Sequence, residues 1–208
     1  MKFLLSERDE GSRGLAGIEL ASQMSQSVVE VHELVEVVGQ ERAQAIALTG
    51  ATVEMVAHGL ITAALFLISG SVLARGGTYE MDRYGGLLTR ARALTGITVI
   101  LAFASLGLPG LAGFVAEVQV FVGTLAVYPW LAAIALLGII ITAALFLRML
   151  QSLFLGPLPE RWKDLPDLTR REAGTLGLLV FFVILIGVAP AWLLDVVDSF
   201  AGPFVGRP

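Results

Sequence analysis

The sequence predicts an all-α fold: a polytopic membrane bundle of about four transmembrane helices, preceded by an amphipathic N-terminal segment. Three observations predict it. Of 208 residues 56% are apolar and only 15% are charged, which is the composition of a chain that lives in lipid. Mean hydropathy is +0.80. The apolar residues gather into runs of about 46–74, 94–127, 131–150 and 173–194, each long enough to cross a hydrocarbon core of about 30 Å. Residues 1–43 form a polar, acidic segment outside this four-span region of 44–194, and residues 195–208 form a short tail.

Residues 1–43 carry Lys2, Arg8, Arg13 and Arg42 against eight acidic residues, and so hold the whole net charge of -4. The apolar core of the opening MKFLLSERDE is too short for a signal peptide. Val28, Val31, Leu34, Val35 and Val38 recur at helical spacing, which predicts an amphipathic helix from about Ile18 to Gln40 with an acidic outer face. The first span, 46–74, is interrupted by Glu54 and His58. Standing at i and i+4, they share one helix face.

After a basic loop comes the run from Leu94 to Val127, whose only formal charge is Glu117. A continuous helix of that length would reach roughly 50 Å, too long for one crossing. Leu108-Pro109-Gly110 supplies a break, because Pro109 removes a backbone donor and Gly110 accepts unwound geometry. Tyr128-Pro129-Trp130 makes a tight turn into the third span, 131–150. There Arg148 can snorkel to the surface. Pro157, Pro159 and Pro166 argue against a regular helix through the next loop. The last span, 173–194, carries Pro190 near its end, where it can kink.

Nine of the 14 Lys and Arg residues lie between Arg75 and Arg92 or between Arg148 and Arg171. In a four-span topology these two loops share one side. The positive-inside rule places them in the cytoplasm and both termini outside.

Few residues offer chemistry. The chain has no cysteine, which excludes disulfides and Cys-ligated zinc or iron–sulfur clusters, and its two histidines, His32 and His58, have no clustered partners for a haem or metal. No basic patch points to nucleic acid. The glycines at 107, 110 and 113 are followed by no Lys-Ser or Lys-Thr and form no phosphate loop. Glu117 is the strongest candidate. A carboxylate within a membrane span faces other helices or water, and either marks a proton or ion path or serves as a structural cap. His58 is second: its ordinary pKa near 6.5 lets it exchange protons at physiological pH. Glu54 is a weaker, secondary candidate, and Arg83 and Tyr84 read as solvated or packing residues. Both lysines, Lys2 and Lys163, lie outside the spans, so a cationic partner of Glu117, if there is one, comes from elsewhere.

MVAHGL (Met55–Leu60) followed by TAALFLISG, ASLGLPGLAGFVAE (Ala104–Glu117), and FLGPLPERWKDLPDLTRRE (Phe154–Glu172) together resemble the C-terminal part of the antiporter-like M chains of bacterial NADH-quinone oxidoreductase, respiratory complex I. The resemblance covers about Ala45 to Leu194. Related chains of multisubunit sodium/proton antiporters and membrane-bound hydrogenases usually carry a lysine shortly after the histidine. Here Gly59 to Leu65 contains none.

The resemblance implies a proton-translocating membrane subunit of a bacterial inner membrane. It would have no redox site of its own, with NADH, FMN, iron–sulfur clusters and quinone held by partner subunits and other membrane-arm subunits as neighbours. It further implies that Glu117 lies at the outward half-channel and His58 on a hydrated polar axis, while at the position of Glu54 family members often carry glutamine. A whole chain of this kind resembles a fourteen-span protein with two inverted five-helix repeats. This sequence matches only its last four spans, as a truncated, split or misframed form would. Residues 1–43 do not resemble the helix that normally precedes the AHG motif. Two other readings stay open: a non-transporting structural membrane fragment, and a subunit of an antiporter or hydrogenase of the kinds just named.

Overall fold

The computed structural model describes residues 39–201, together with Glu19 and residues 22–27 and 29–30, which are helical. Val28, Val31, Leu34, Val35 and Val38, on which the expected N-terminal amphipathic helix rests, all lie outside the described residues. Among the described residues every regular element is a helix.

Helix α1, Gln40–Gly76, runs through 37 residues without proline, about 55 Å at 1.5 Å per residue. Gly77 ends it in the left-handed conformation (φ 67°), donating its N–H to the Leu73 carbonyl at 2.7 Å, a stop that glycine makes without strain. Two 3-10 turns, Met81–Arg83 and Leu87–Thr89, lead to α2, Arg92–Ser105. The chain leaves helical geometry at Leu106 and resumes it in α3, Ala112–Val127. Pro109 sits in that break, between Gly107 (φ 64°) and Gly110 (φ 91°). Helix α4, Pro129–Phe154, opens with proline, where its missing N–H costs nothing. Helix α5, Arg170–Val188, starts from a capping box between Thr169 and Glu172. Helix α6, Ala191–Ala201, follows Pro190.

Three helices, α1, α4 and α5, are each long and apolar enough to cross a membrane. The two halves α2 and α3 are too short to do so separately and together make a broken crossing. The last span also differs from a single kinked helix over 173–194. It stops at Val188 and restarts at Ala191, continuing to Ala201, because Pro190 cannot donate to the ladder. Gly187 there packs on the backbone of Gly110, so the two interruptions touch.

Buried Val53, Ala57, Ile61, Ala64 and Ile68 of α1 form the spine of the core. Leu94, Leu101, Leu176, Val183 and Ile186 close around it from α2 and α5. Helix α4 stays at the periphery, with Ile134, Leu137, Ile140, Ile141 and Leu145 exposed, as suits a face turned to lipid.

The two basic loops meet at one end of the bundle. Arg75 makes a two-pronged ion pair with Glu172, at 2.9 Å from Nη1 to Oε1 and 2.6 Å from Nη2 to Oε2, and donates also to the Pro166 and Asp167 carbonyls. The Asp167 carboxylate accepts from the N–H groups of Ala93 (2.9 Å) and Leu94 (3.0 Å), capping the open start of α2. Tyr84 is buried and stacks on Trp162 with ring centroids 5.0 Å apart. The Trp162 indole N–H and the Arg161 guanidinium both donate to the Arg83 carbonyl.

Partial burial alone would raise the Asp167 pKa, but hydrogen bonds from the Ala93, Leu94 and Leu168 N–H groups and the charge of Arg75 outweigh it and hold the carboxyl below its ordinary value. Its stabilising effect is therefore present above the ordinary carboxylate range and is lost as pH falls through the lowered value. Asp167→Ala is expected to reduce stability at neutral pH by about 1–2 kcal/mol, the size of a lost helix cap. Thermal unfolding in detergent checks this, and the gap between the two proteins should narrow in acid.

Candidate functional site

The site forms where α1, the broken segment and α4 come together. Helices α1 and α3 run antiparallel. Gly50 lies against Ala116, Gln119 and Val120, and Gly123 against Ala43 and Ala47. A methyl group at Gly50 would stand 2.7 Å from the Gln119 Cβ, so the small residues allow a close approach of the backbones.

Glu117 sits in the second turn of α3, half-buried. Its carboxylate folds back over the break onto Gly107, where an added Cβ would lie 2.9 Å from the Glu117 Cδ. Glycine is required there twice, for this contact and for its φ of 64°. On the other side of Glu117 a cleft of about 220 Å³ opens between the break and α4, lined by Ser105, Leu106, Ala135, Gly138, Ile139 and Thr142. That volume can take several waters. Ser105, Thr142 and Glu117 are its polar walls.

Glu54 lies one turn along α1 from Gly50, and through the partners of Gly50 on antiparallel α3 it stands at the level of Ala112–Ala116, close to the depth of Glu117. Its Oε2 is shut off from solvent with no hydrogen-bond partner among the described residues. His58, one turn further, presents its side chain on the open face of α1, where its carbonyl accepts from the Thr62 hydroxyl at 2.6 Å. The structure thus sets Glu54 and Glu117 at a similar depth across the α1–α3 contact and leaves His58 on the exposed face of α1. Among the described residues no three His, Cys, Asp or Glu side chains are grouped to hold a metal ion. What the arrangement can do is hold protons on carboxylates and exchange them with water in the cleft.

The chain was compared with known proteins. The sequence profile of the NADH:quinone oxidoreductase/Mrp antiporter transmembrane family matches residues 37–142, half of the chain. The chain belongs to this family. Subunit M of NADH-quinone oxidoreductase from Mycobacterium tuberculosis is 35% identical over 150 residues, covering 72% of this chain and 27% of that protein. A chain of respiratory complex I from Thermus thermophilus superposes with a TM-score of 0.74 at 33% identity, over 79% of this chain and 35% of that one. A chain of the archaeal membrane-bound sulfane sulfur reductase shares the fold, with a TM-score of 0.69 at 24% identity over 73% of this chain and 25% of that one. The antiporter-family chain described here therefore spans about a third of the length of such relatives.

Reading the sequence alone gives Glu54 as a secondary candidate and passes over Ser105 and Thr142, which line the cleft beside Glu117. The small residues Ala43, Ala47, Gly50, Ala116 and Gly123 are the signal that α1 and α3 pack closely, and from that register the two glutamates follow. Gly107→Ala is expected to displace the Glu117 carboxyl and to destabilise the chain by about 1–3 kcal/mol through strain and overpacking. The shift of its thermal unfolding in detergent relative to Gly110→Ala, where an added Cβ meets nothing within 4 Å, measures the contact.

Proposed function

We propose that this chain is the C-terminal part of a proton-translocating, antiporter-like membrane-arm subunit of an NADH-quinone oxidoreductase, coupling quinone reduction by NADH to proton transfer across a bacterial inner membrane. The observation that carries this reading is the seat of Glu117. A carboxyl group stands at a helix break, inside the bundle, beside a cleft walled by Ser105 and Thr142. A carboxyl within a span and next to water is the means by which a membrane protein passes protons.

In this reading electrons flow elsewhere. NADH, FMN, the iron–sulfur clusters and quinone belong to partner subunits, and the energy released there reaches this chain as a change in charge and hydration along a buried axis. Glu117 takes a proton from that axis and releases it to the water of its cleft toward the outer side. Glu54 is a secondary group on the same route. His58 belongs to the axis. Its exposure at mid-span supports this, because an imidazole turned to lipid is costly and is normally covered by protein or water. The helices that cover it come from the remainder of the antiporter-like subunit and from neighbouring membrane-arm subunits. The meeting of both basic loops at one end of the bundle supports a topology with that end in the cytoplasm and both termini outside.

The test is Glu117→Gln in the assembled respiratory complex, with proton pumping measured against NADH oxidation. Removing a proton-transfer group is expected to lower the proton yield by about tenfold or more at unchanged assembly. Unchanged pumping in a fully assembled complex would contradict the assignment.

A further inference from the structure

Helix α4 turns one stripe of residues into the Glu117 cleft, Ala135, Gly138, Ile139 and Thr142, spaced as a single helix face. Thr142 is the one polar side chain between Leu131 and Leu147, so nothing else on that stretch can hydrogen-bond within the cleft. A Cβ added at Gly138, one turn before it, meets nothing within 4 Å. The space in front of that turn is open. A threonine in an apolar helix commonly donates its hydroxyl to the carbonyl four residues earlier. Thr52, Thr62, Thr95, Thr98 and Thr175 do so, at 2.6–3.2 Å. Thr142 and Thr124 make no such bond among the described residues, and of these two only Thr142 lines the cleft. Its hydroxyl is left for whatever fills that space.

Helices α3 and α4 are neighbours joined at Tyr128, and they run in opposite directions. Counted from that turn at 1.5 Å per residue, Thr142 stands about 4–5 Å farther along than Glu117. Side chains lean toward the N-terminus of their own helix. Glu117 therefore leans toward the break, where its carboxylate meets Gly107, and Thr142 leans back toward Tyr128. The two converge on one level from two walls of a cleft of about 220 Å³. A water there has the Glu117 carboxyl, the Thr142 hydroxyl and the Ser105 hydroxyl around it, the roughly three polar partners that hold a buried water.

We propose that Thr142 is a positioning residue for proton transfer: its hydroxyl, with that of Ser105, orients the water that takes the proton from Glu117. The inference rests on the assignment of Glu117 to the proton route and names the group that places the acceptor. In the step the O–H bond of the Glu117 carboxyl breaks, its electron pair stays on the carboxylate, and a new O–H bond forms on the water. That water then gives one of its other protons to the next water of the cleft. Thr142 neither gains nor loses a proton. It holds one hydrogen bond to the water, so that an oxygen lone pair faces the carboxyl.

The test is the rate of proton pumping by the assembled complex, in ordinary and in heavy water, with two substitutions that separate the hydroxyl from the methyl. Thr142→Val keeps the shape and removes the hydroxyl, while Thr142→Ser keeps the hydroxyl. At unchanged assembly, Thr142→Val is expected to slow pumping about two- to tenfold, the worth of one hydrogen bond, and to raise the solvent isotope effect. Thr142→Ser should restore both. In a Glu117→Gln background Thr142→Val should change nothing further. The proposal is overturned if Thr142→Val pumps at the natural rate, if Thr142→Ser is as slow as Thr142→Val, which would make the methyl's packing the cause, or if the two substitutions slow pumping independently. The two readings fail separately. Impaired Glu117→Gln beside unimpaired Thr142→Val removes only the positioning role. Unimpaired Glu117→Gln removes the pump assignment itself, whatever Thr142→Val does.

Discussion

The close antiparallel contact of α1 with α3 is the constraint on which the rest of this structure depends. It exists because residues without bulk, Gly50 and Ala47 on one helix and Gly123 and Ala116 on the other, meet across the interface. In lipid, apolar side chains gain little by leaving one another's company, so helices associate through packing and hydrogen bonds between close backbones. A glycine-lined interface therefore sets both which helices touch and at what register. That register decides that two carboxyl groups, far apart in sequence, share one depth.

A second constraint acts on the broken crossing. Asp167 ties the start of α2 to the loop before α5, the Arg75–Glu172 pair ties the last turn of α1 to the first turn of α5, and Gly187 of α5 rests on Gly110. The broken crossing is thus held at its start by polar bonds and at its break by packing. Free backbone groups in a bilayer are tolerated only inside protein or beside water; of the unwound residues, Leu106 lines the Glu117 cleft and Gly110 lies against α5. The interruption of the last span at Pro190 lies against the same region. The two interruptions meet at one contact.

Much of this was legible in the sequence for local reasons. A single charge in a run of apolar residues singles out Glu117, and Pro109 between glycines places the break, since both effects act within one or two turns. The helical class followed from the lengths of the apolar runs. The similar depth of Glu54 and Glu117 was not legible, because periodicity along one helix says nothing of its neighbour's register. Arg75 with Glu172 and Tyr84 on Trp162 were hidden for the same reason: each joins residues far apart in sequence. Pro190 was visible, but a proline within a span can bend a helix or end it, and contacts from neighbouring helices decide which.

The most direct test of the central claim, that α1 and α3 pack antiparallel in the register which levels Glu54 with Glu117, is disulfide trapping. The chain has no cysteine of its own, so an introduced pair reports without background. Ala47→Cys with Gly123→Cys, oxidised in native membranes, is expected to cross-link once the helices part by about 1 Å, because a Cβ at position 123 would stand 2.7 Å from the Ala47 Cβ and a disulfide holds its Cβ atoms about 3.8 Å apart. Failure of that pair, with efficient cross-linking of Glu54→Cys to Gly123→Cys instead, would mean a register shifted by two turns. It would separate the two glutamates and contradict the arrangement described here.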